Sequence, residues 1–205
     1  MKKPFFVTLL VLLTLAPTFE SAAQGVLSGK GLVDELSKGG YVIYMRHTKT
    51  DRTQKDSDVS DLSNCSTQRN LNDEGKRQAA LIGDAFRQFR IHVEEIFSSP
   101  YCRAVDTATI MFGQAIQTQD LRYLTRLAPN DAAAASKWLN EKLREQTNQA
   151  TNRILVAHTA NLKKTTGIWP KNAGDINVFR PHGDGTYAHV GTILVHEWAD
   201  LINQR

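Results

Sequence analysis

"YVIYMRHTKT", residues 41–50, decides how this chain is read. Its apolar and aromatic start suits a buried strand, yet it ends on a cation, Arg46, and an imidazole, His47. "NRILVAH", residues 152–158, repeats the pattern and runs into His158. "EEIFSSP", residues 94–100, is a third short strand ending on Ser98-Ser99-Pro100.

Helical patterns lie between these strands. Residues 28–38 place Leu32, Val33 and Leu36 on one side, with Gly39-Gly40 as a stop. Asn72 is a cap for the next helix, with Asp73 and Glu74 in its first turn and Ala79, Ile82, Phe86 and Phe89 on its apolar face. Residues 101–112 and about 131–147 are further helices, and 115–121 reads as a strand. "INVFRP" and "AHVGTILVHEW" are β-rich stretches around a turn at Gly183-Asp184-Gly185. Residues 48–69 form a long polar loop, a length that usually serves a function.

Alternation of this kind predicts an α/β fold: a three-layer sandwich with a mostly parallel central sheet and helices on both faces. In such sheets ligands gather at the carboxyl ends of the strands. Arg46-His47, the segment Ser98–Arg103 and His158-Thr159 all fall there.

The N-terminus has a separate reading. Lys2 and Lys3 precede an apolar run from Phe5 to Leu15, and Ser21-Ala22-Ala23 has the small-x-small pattern of a signal-peptidase site. The run is too short for a membrane span. Residues 1–23 are therefore expected to be a cleaved signal peptide and 24–205 a single periplasmic domain without a stable membrane span; a retained N-terminal anchor is the alternative. The 205 residues carry a formal net charge of +4 with the basic residues scattered. That excess suits an anionic ligand and lacks a nucleic-acid footprint.

Cys65 and Cys102 are the chain's two cysteines. Export and the even count favour a disulfide over two free thiols. Closing a loop of ~37 residues is worth about 3–4 kcal/mol in the chain-entropy model. His92, His182, His189 and His196 lack ligand spacing, so neither metal nor organic cofactor is expected.

Two histidines and two arginines at one crevice suit phosphate. Guanidinium forks match phosphate oxygens, and a neutral imidazole can attack phosphorus. Neighbouring cations lower an imidazole pKa and so keep it nucleophilic.

In combination and order these residues resemble the histidine phosphatase superfamily, the group that includes phosphoglycerate mutases and acid phosphatases. Its Arg-His-Gly is carried by Arg46-His47-Thr48, and its Leu-Thr-x-x-Gly-x-x-Gln-Ala helix start by Leu71 to Ala79. Its Ser-Ser-Pro-x-x-Arg-Ala-x-x-Thr-Ala block is "SSPYCRAVDTA", residues 98–108, and its Gly-His is Ala157-His158. The resemblance implies that His47 is the phosphorylated nucleophile. Arg46, Arg103 and His158 would hold the phosphoryl group, with Thr50 and Thr159 as further phosphate contacts and Asn161 near the site.

Thr48 and Ala157 replace family glycines, and a left-handed backbone at 48 would penalise Thr. The family's proton-donating Glu is missing from "TQDLRYL", leaving Asp120 and Asp175 as candidate donors, with Asp184 and the four aspartates between 51 and 61 as rivals. The expected function is a periplasmic phosphomonoesterase acting through a phosphohistidine on a small-molecule or envelope phosphate ester. The alternative is a non-catalytic phosphate-binding module of the same fold.

Overall fold

The computed structural model describes residues 26–204; the expected signal segment 1–23 lies outside them. No helix among the described residues is long and apolar enough to cross a membrane. The elements run α1 (Gly29–Lys38), β1 (Val42–Arg46), α2 (Asp73–Gln88), β2 (Val93–Ser98), α3 (Cys102–Phe112), β3 (Ile116–Gln117) and α4 (Pro129–Arg144). They continue with β4 (Asn152–Ala157), α5 (Thr159–Thr166), β5 (Ile176–Pro181), β6 (Tyr187–Ile193) and α6 (Glu197–Asn203).

One mixed sheet has the order β3-β2-β4-β1-β5-β6. β3, β2, β4 and β1 pair in parallel, and β5 and β6 add an antiparallel flank. Alternation along β1 feeds two cores, because successive strand side chains point to opposite faces. Ile43 and Met45 join Leu32, Leu36, Ile82, Phe86, Met111 and Trp198, from α1, α2, α3 and α6. Val42 and Tyr44 join Leu139, Leu143 and Leu162, from α4 and α5. The three-layer α/β reading therefore holds.

Two strand boundaries differ from the sequence reading, and α4 ends at Arg144, short of the expected 147. The strand expected over 115–121 stops at Gln117. Thr118 then turns the chain into a 3-10 turn over Gln119–Leu121, its side chain accepting the Asp120 N–H. The stretch "AHVGTILVHEW" is a strand only to Ile193; the Glu197 carboxylate takes the Leu194 N–H at 2.6 Å, and α6 starts there.

The segment after His47 is docked by the start of α2. Asn72 caps that helix by accepting the Gly75 N–H at 2.8 Å, and its own N–H donates to the Lys49 carbonyl. Gln78 accepts the Lys49 N–H at 3.1 Å. Gly75 is the residue that permits this approach: a Cβ there would lie 1.9 Å from the Lys49 oxygen. The Leu71–Ala79 motif thus serves as a seat for the chain leaving β1.

Gly75→Ala is therefore expected to cost at least about 1–3 kcal/mol through forced overpacking. Gly31, in α1 with nothing within 4 Å of an added Cβ, provides the control, and Gly31→Ala should stabilise by up to about 1 kcal/mol. Urea unfolding of both variants checks this; equal effects would refute the seating role.

Candidate active site

Register brings the strand ends together. Arg46 pairs with Ala157 across β1 and β4, and Ser98 with Val156 across β2 and β4. The next residues along, His47, His158 and Ser99, are therefore neighbours, and the His47 N–H donates to the Ala157 carbonyl at 3.0 Å. Tyr44, buried in β1, donates its hydroxyl to the His158 carbonyl at 2.7 Å and accepts the His158 N–H at 3.1 Å. The two imidazoles stand 5.4 Å apart, edge to face. α3 and α5 both begin at this rim, so the positive ends of their macrodipoles lie beside the histidines.

His47 is 4% exposed, and its Nδ1 lies 2.9 Å from the Thr48 carbonyl oxygen. A carbonyl can only accept, so Nδ1 carries the proton and the lone pair belongs to Nε2. Nε2 has no hydrogen-bond partner among the described residues. Burial first and then the Arg103 cation, with lesser help from Arg46 and Arg69, lower the His47 pKa to about 3 despite the opposing bond to the Thr48 carbonyl. His158 is pushed well below its ordinary value by burial and the same positive surroundings. Its Nε2 meets the Ser99 hydroxyl at 2.8 Å, and the rings of Tyr101 and Tyr123 each lie 5.1 Å away. Ser99 thus faces the second histidine.

Thr48 carries no backbone strain, since Arg90 is the non-glycine residue with positive φ among those described. Its N–H and hydroxyl both meet the Thr107 hydroxyl at 3.2 Å, and its methyl packs towards Gly174. A Thr here replaces glycine without disturbing the carbonyl that orients His47.

Arg46 donates through Nη1 to the Lys171 carbonyl at 3.0 Å. Arg103 is 1% exposed. The Nε atoms of Arg46, Arg69 and Arg103 are buried without a partner among the described residues. An anion at this rim would satisfy donors that are costly to leave unpaired. Thr50 lines a cavity with Arg46 and Arg69, and Thr159 lines another with Arg46 and Tyr123.

Three residues expected at or near the site have other tasks. Asp175 is 1% exposed, and its carboxylate accepts the Asn172 N–H at 2.8 Å and the Val195 N–H at 3.1 Å. It closes the loop before β5, with both carboxylate oxygens engaged by N–H groups. Asp120 accepts from the Thr118 hydroxyl in its 3-10 turn and lines neither cavity beside Arg46. Asn161 bonds the backbone of residues 121, 122 and 124, so it holds that turn and does not face the histidines.

Asp56, one of the four aspartates between 51 and 61, is the one the structure brings to the site. It reaches in from the long loop and accepts Arg103 Nη1 at 2.9 Å, Nη2 at 3.4 Å and the Arg69 N–H at 2.9 Å. The pair is 1% and 8% exposed. Burial raises the Asp56 carboxyl pKa, but the Arg69 N–H and the Arg103 guanidinium outweigh it and hold the group below its ordinary value. Nothing in the spacing of the loop's aspartates singles it out. The expected Cys65–Cys102 disulfide is present, with Cα atoms 5.7 Å apart, and ties this loop to the start of α3. Gln68 reinforces the tie by accepting the Cys102 N–H at 3.0 Å.

Residues 42–161 match the family model of the histidine phosphatase superfamily (branch 1). The chain belongs to that superfamily. No curated protein shows a significant match to the sequence. Solved structures similar to this superfamily member include YhfR of Bacillus stearothermophilus, 14% identical, covering 73% of this chain and 94% of its own, at a TM-score of 0.54. The native mycobacterial glucosyl-3-phosphoglycerate phosphatase is 18% identical, with 74% and 97% covered and a TM-score of 0.53. The protein histidine phosphatase SixA, solved with tungstate, is 14% identical, with 76% and 97% covered and a TM-score of 0.52. These likenesses establish the fold.

Two outcomes are expected. The folded pKa of His47 is depressed, so the unfolded chain binds the extra proton; stability is full above pH ~6.5 and falls as pH drops towards 3. The slope from His47 alone approaches about 1.4 kcal/mol per pH unit, and urea unfolding of His47→Asn should be shallower by that amount. An unchanged slope would mean that His47 protonates in the folded state. Separately, Asp56→Asn removes a negative charge from Arg103 and should tighten binding of inorganic vanadate at least about threefold in calorimetric titration, whereas weaker binding would show that Asp56 positions the guanidinium.

Proposed function

We propose that this protein is an exported phosphomonoesterase working through a phosphohistidine on His47. The observation that carries the reading is the state of that imidazole: Nδ1 engaged by the Thr48 carbonyl, Nε2 unpartnered, and protonation opposed by burial and three arginines. Superfamily membership supports phosphatase chemistry in general.

In this reading Nε2 attacks phosphorus, an N–P bond forms and the ester P–O bond breaks. The departing oxygen takes a proton to leave as the alcohol. Water then attacks phosphorus, the N–P bond breaks, and inorganic phosphate departs with His47 neutral again. Arg46, Arg103 and His158 bear on the charge of the transferring oxygens. Thr50 and Thr159 stand as supporting contacts.

The leaving group is assigned to the cavity of about 650 Å³ that Tyr123, Thr159 and Trp169 share with Arg46. Trp169 is 54% exposed, with Lys163 Nζ 4.2 Å from its ring centre. An exposed indole suits the flat face of a sugar or aryl group, which supports a phosphorylated envelope sugar as a substrate. Export is supported by the N-terminal pattern and by the disulfide, which persists in oxidising compartments.

A phosphate-binding module without turnover is favoured by one observation: Asp56 is held ionised and Asp175 is fully bonded, so neither is poised to protonate a poor leaving group. An aryl phosphate, whose leaving group needs little protonation, separates the two readings. Wild-type residues 24–205 should release phosphate from it and show an acid-labile phosphohistidine. His47→Ala should lose both, by about 10³-fold or more in kcat. Turnover that survives in His47→Ala would overturn the mechanism. Protein recovered from an envelope fraction should begin at Gln24 by intact mass, and an uncleaved mass would refute processing.

A further inference from the structure

A second cavity, of about 720 Å³, adjoins the strand-end rim through Arg46 and Thr50, and its other lining residues have no part in the transfer chemistry. Its basic wall consists of Arg46, Lys49, Arg52, Arg69 and Lys171, with the His196 ring beside them, drawn from the end of β1 and the loop after it, the loop before β5 and the start of α6. Thr50, Gln78 and Asn172 add polar groups, and among the described residues no carboxylate lines the cavity. Lys49, Arg52 and Lys171 make no ion pair among the described residues. Elsewhere on the surface the lysines of α1, α2 and α4 sit three or four residues from acidic partners.

The carboxylates nearest this wall are already engaged. Asp175 lies near Arg46 but is bonded to its own loop, and Asp56 faces Arg103 and the Arg69 N–H. Five permanent cations therefore outnumber these two acids and Asp51, whose carboxylate is bonded to Thr53. Burial first, and then the positive charges of Arg69 and Arg52 against the partial relief of Asp175, depress the Arg46 pKa. Mutual repulsion of this kind opposes folding unless an anion offsets it. Arg46 belongs both to this cavity and to the strand-end rim, so a ligand whose phosphate reaches His47 has the wall within one further group.

We propose that this cavity is a second anion subsite, and that the substrate carries, besides the phosphate that is cleaved, a further phosphate or carboxylate held by Lys49, Arg52, Arg69 and Lys171. This rests on the phosphatase reading above and specifies its substrate class: polyanionic phosphate esters. The subsite would discriminate by charge, since a monoanionic ester leaves the cations facing water.

The test compares inorganic phosphate with inorganic pyrophosphate as ligands. Calorimetric titration of wild type should give pyrophosphate at least about tenfold tighter binding than phosphate, a difference that added salt reduces. Arg52→Gln with Lys171→Gln should bring the two ligands to within about threefold. A control with Lys30→Gln and Lys137→Gln, outside the cavity, should keep the wild-type ratio. Equal wild-type affinities, or loss of the ratio in both double variants alike, would overturn the subsite. Pyrophosphate selectivity that depends on Arg52 and Lys171 in a protein with no turnover would uphold the subsite and reject the phosphatase reading instead.

Discussion

The parallel pairing of β1 with β4 is the constraint on which the rest depends. Residue Arg46 opposite Ala157 places two histidines, separated by more than a hundred residues of chain, on adjacent strand ends. Tyr44 locks the arrangement by bonding both backbone groups of His158 from within β1. A one-residue slip would send each imidazole to the opposite face of the sheet, because strand side chains alternate. The two cores on either side resist such a slip, since Val42 and Tyr44 pack with one set of helices and Ile43 and Met45 with the other.

That framework sustains an arrangement of charge that is unfavourable by itself. Arg46, Arg69 and Arg103 crowd two buried imidazoles, and the response is to keep both rings neutral. Asp56 relieves part of the strain by pairing with Arg103, and the Cys65–Cys102 disulfide secures the loop that supplies it. The Gly75 seat has the same purpose at the other end of the loop, where it holds Lys49 and so the chain leaving His47. The bonds that keep the loop down thus hold Asp56 on Arg103 and the Lys49 backbone directly after His47-Thr48.

The fold and the four central site residues were legible because they are written as local patterns. An apolar strand ending on Arg46-His47, another ending on His158, and the block from Ser98 to Ala108 each have a short-range signature. Thr48 stands where the family has glycine, and only its ordinary backbone, together with the Thr107 hydroxyl, shows why it fits. The strand expected beyond Gln117 and the one expected beyond Ile193 were lost to side-chain bonds, from Thr118 and from Glu197, that redirect the backbone. β-Propensity does not register such bonds.

The amino-acid sequence by itself determined the alternation of strands and helices, the position of both histidines at strand ends, and the pairing partners available to two cysteines. These follow from periodicity and from residue chemistry, which act over a few neighbours. Tertiary structure decided the roles of the acids. Asp56 and Asp175 come from polar loops of similar composition, yet one meets a buried guanidinium and the other closes a turn. It also decided that Lys49, Arg52, Arg69 and Lys171 share one cavity wall, because packing brings distant loops together and spacing along the chain does not encode that meeting.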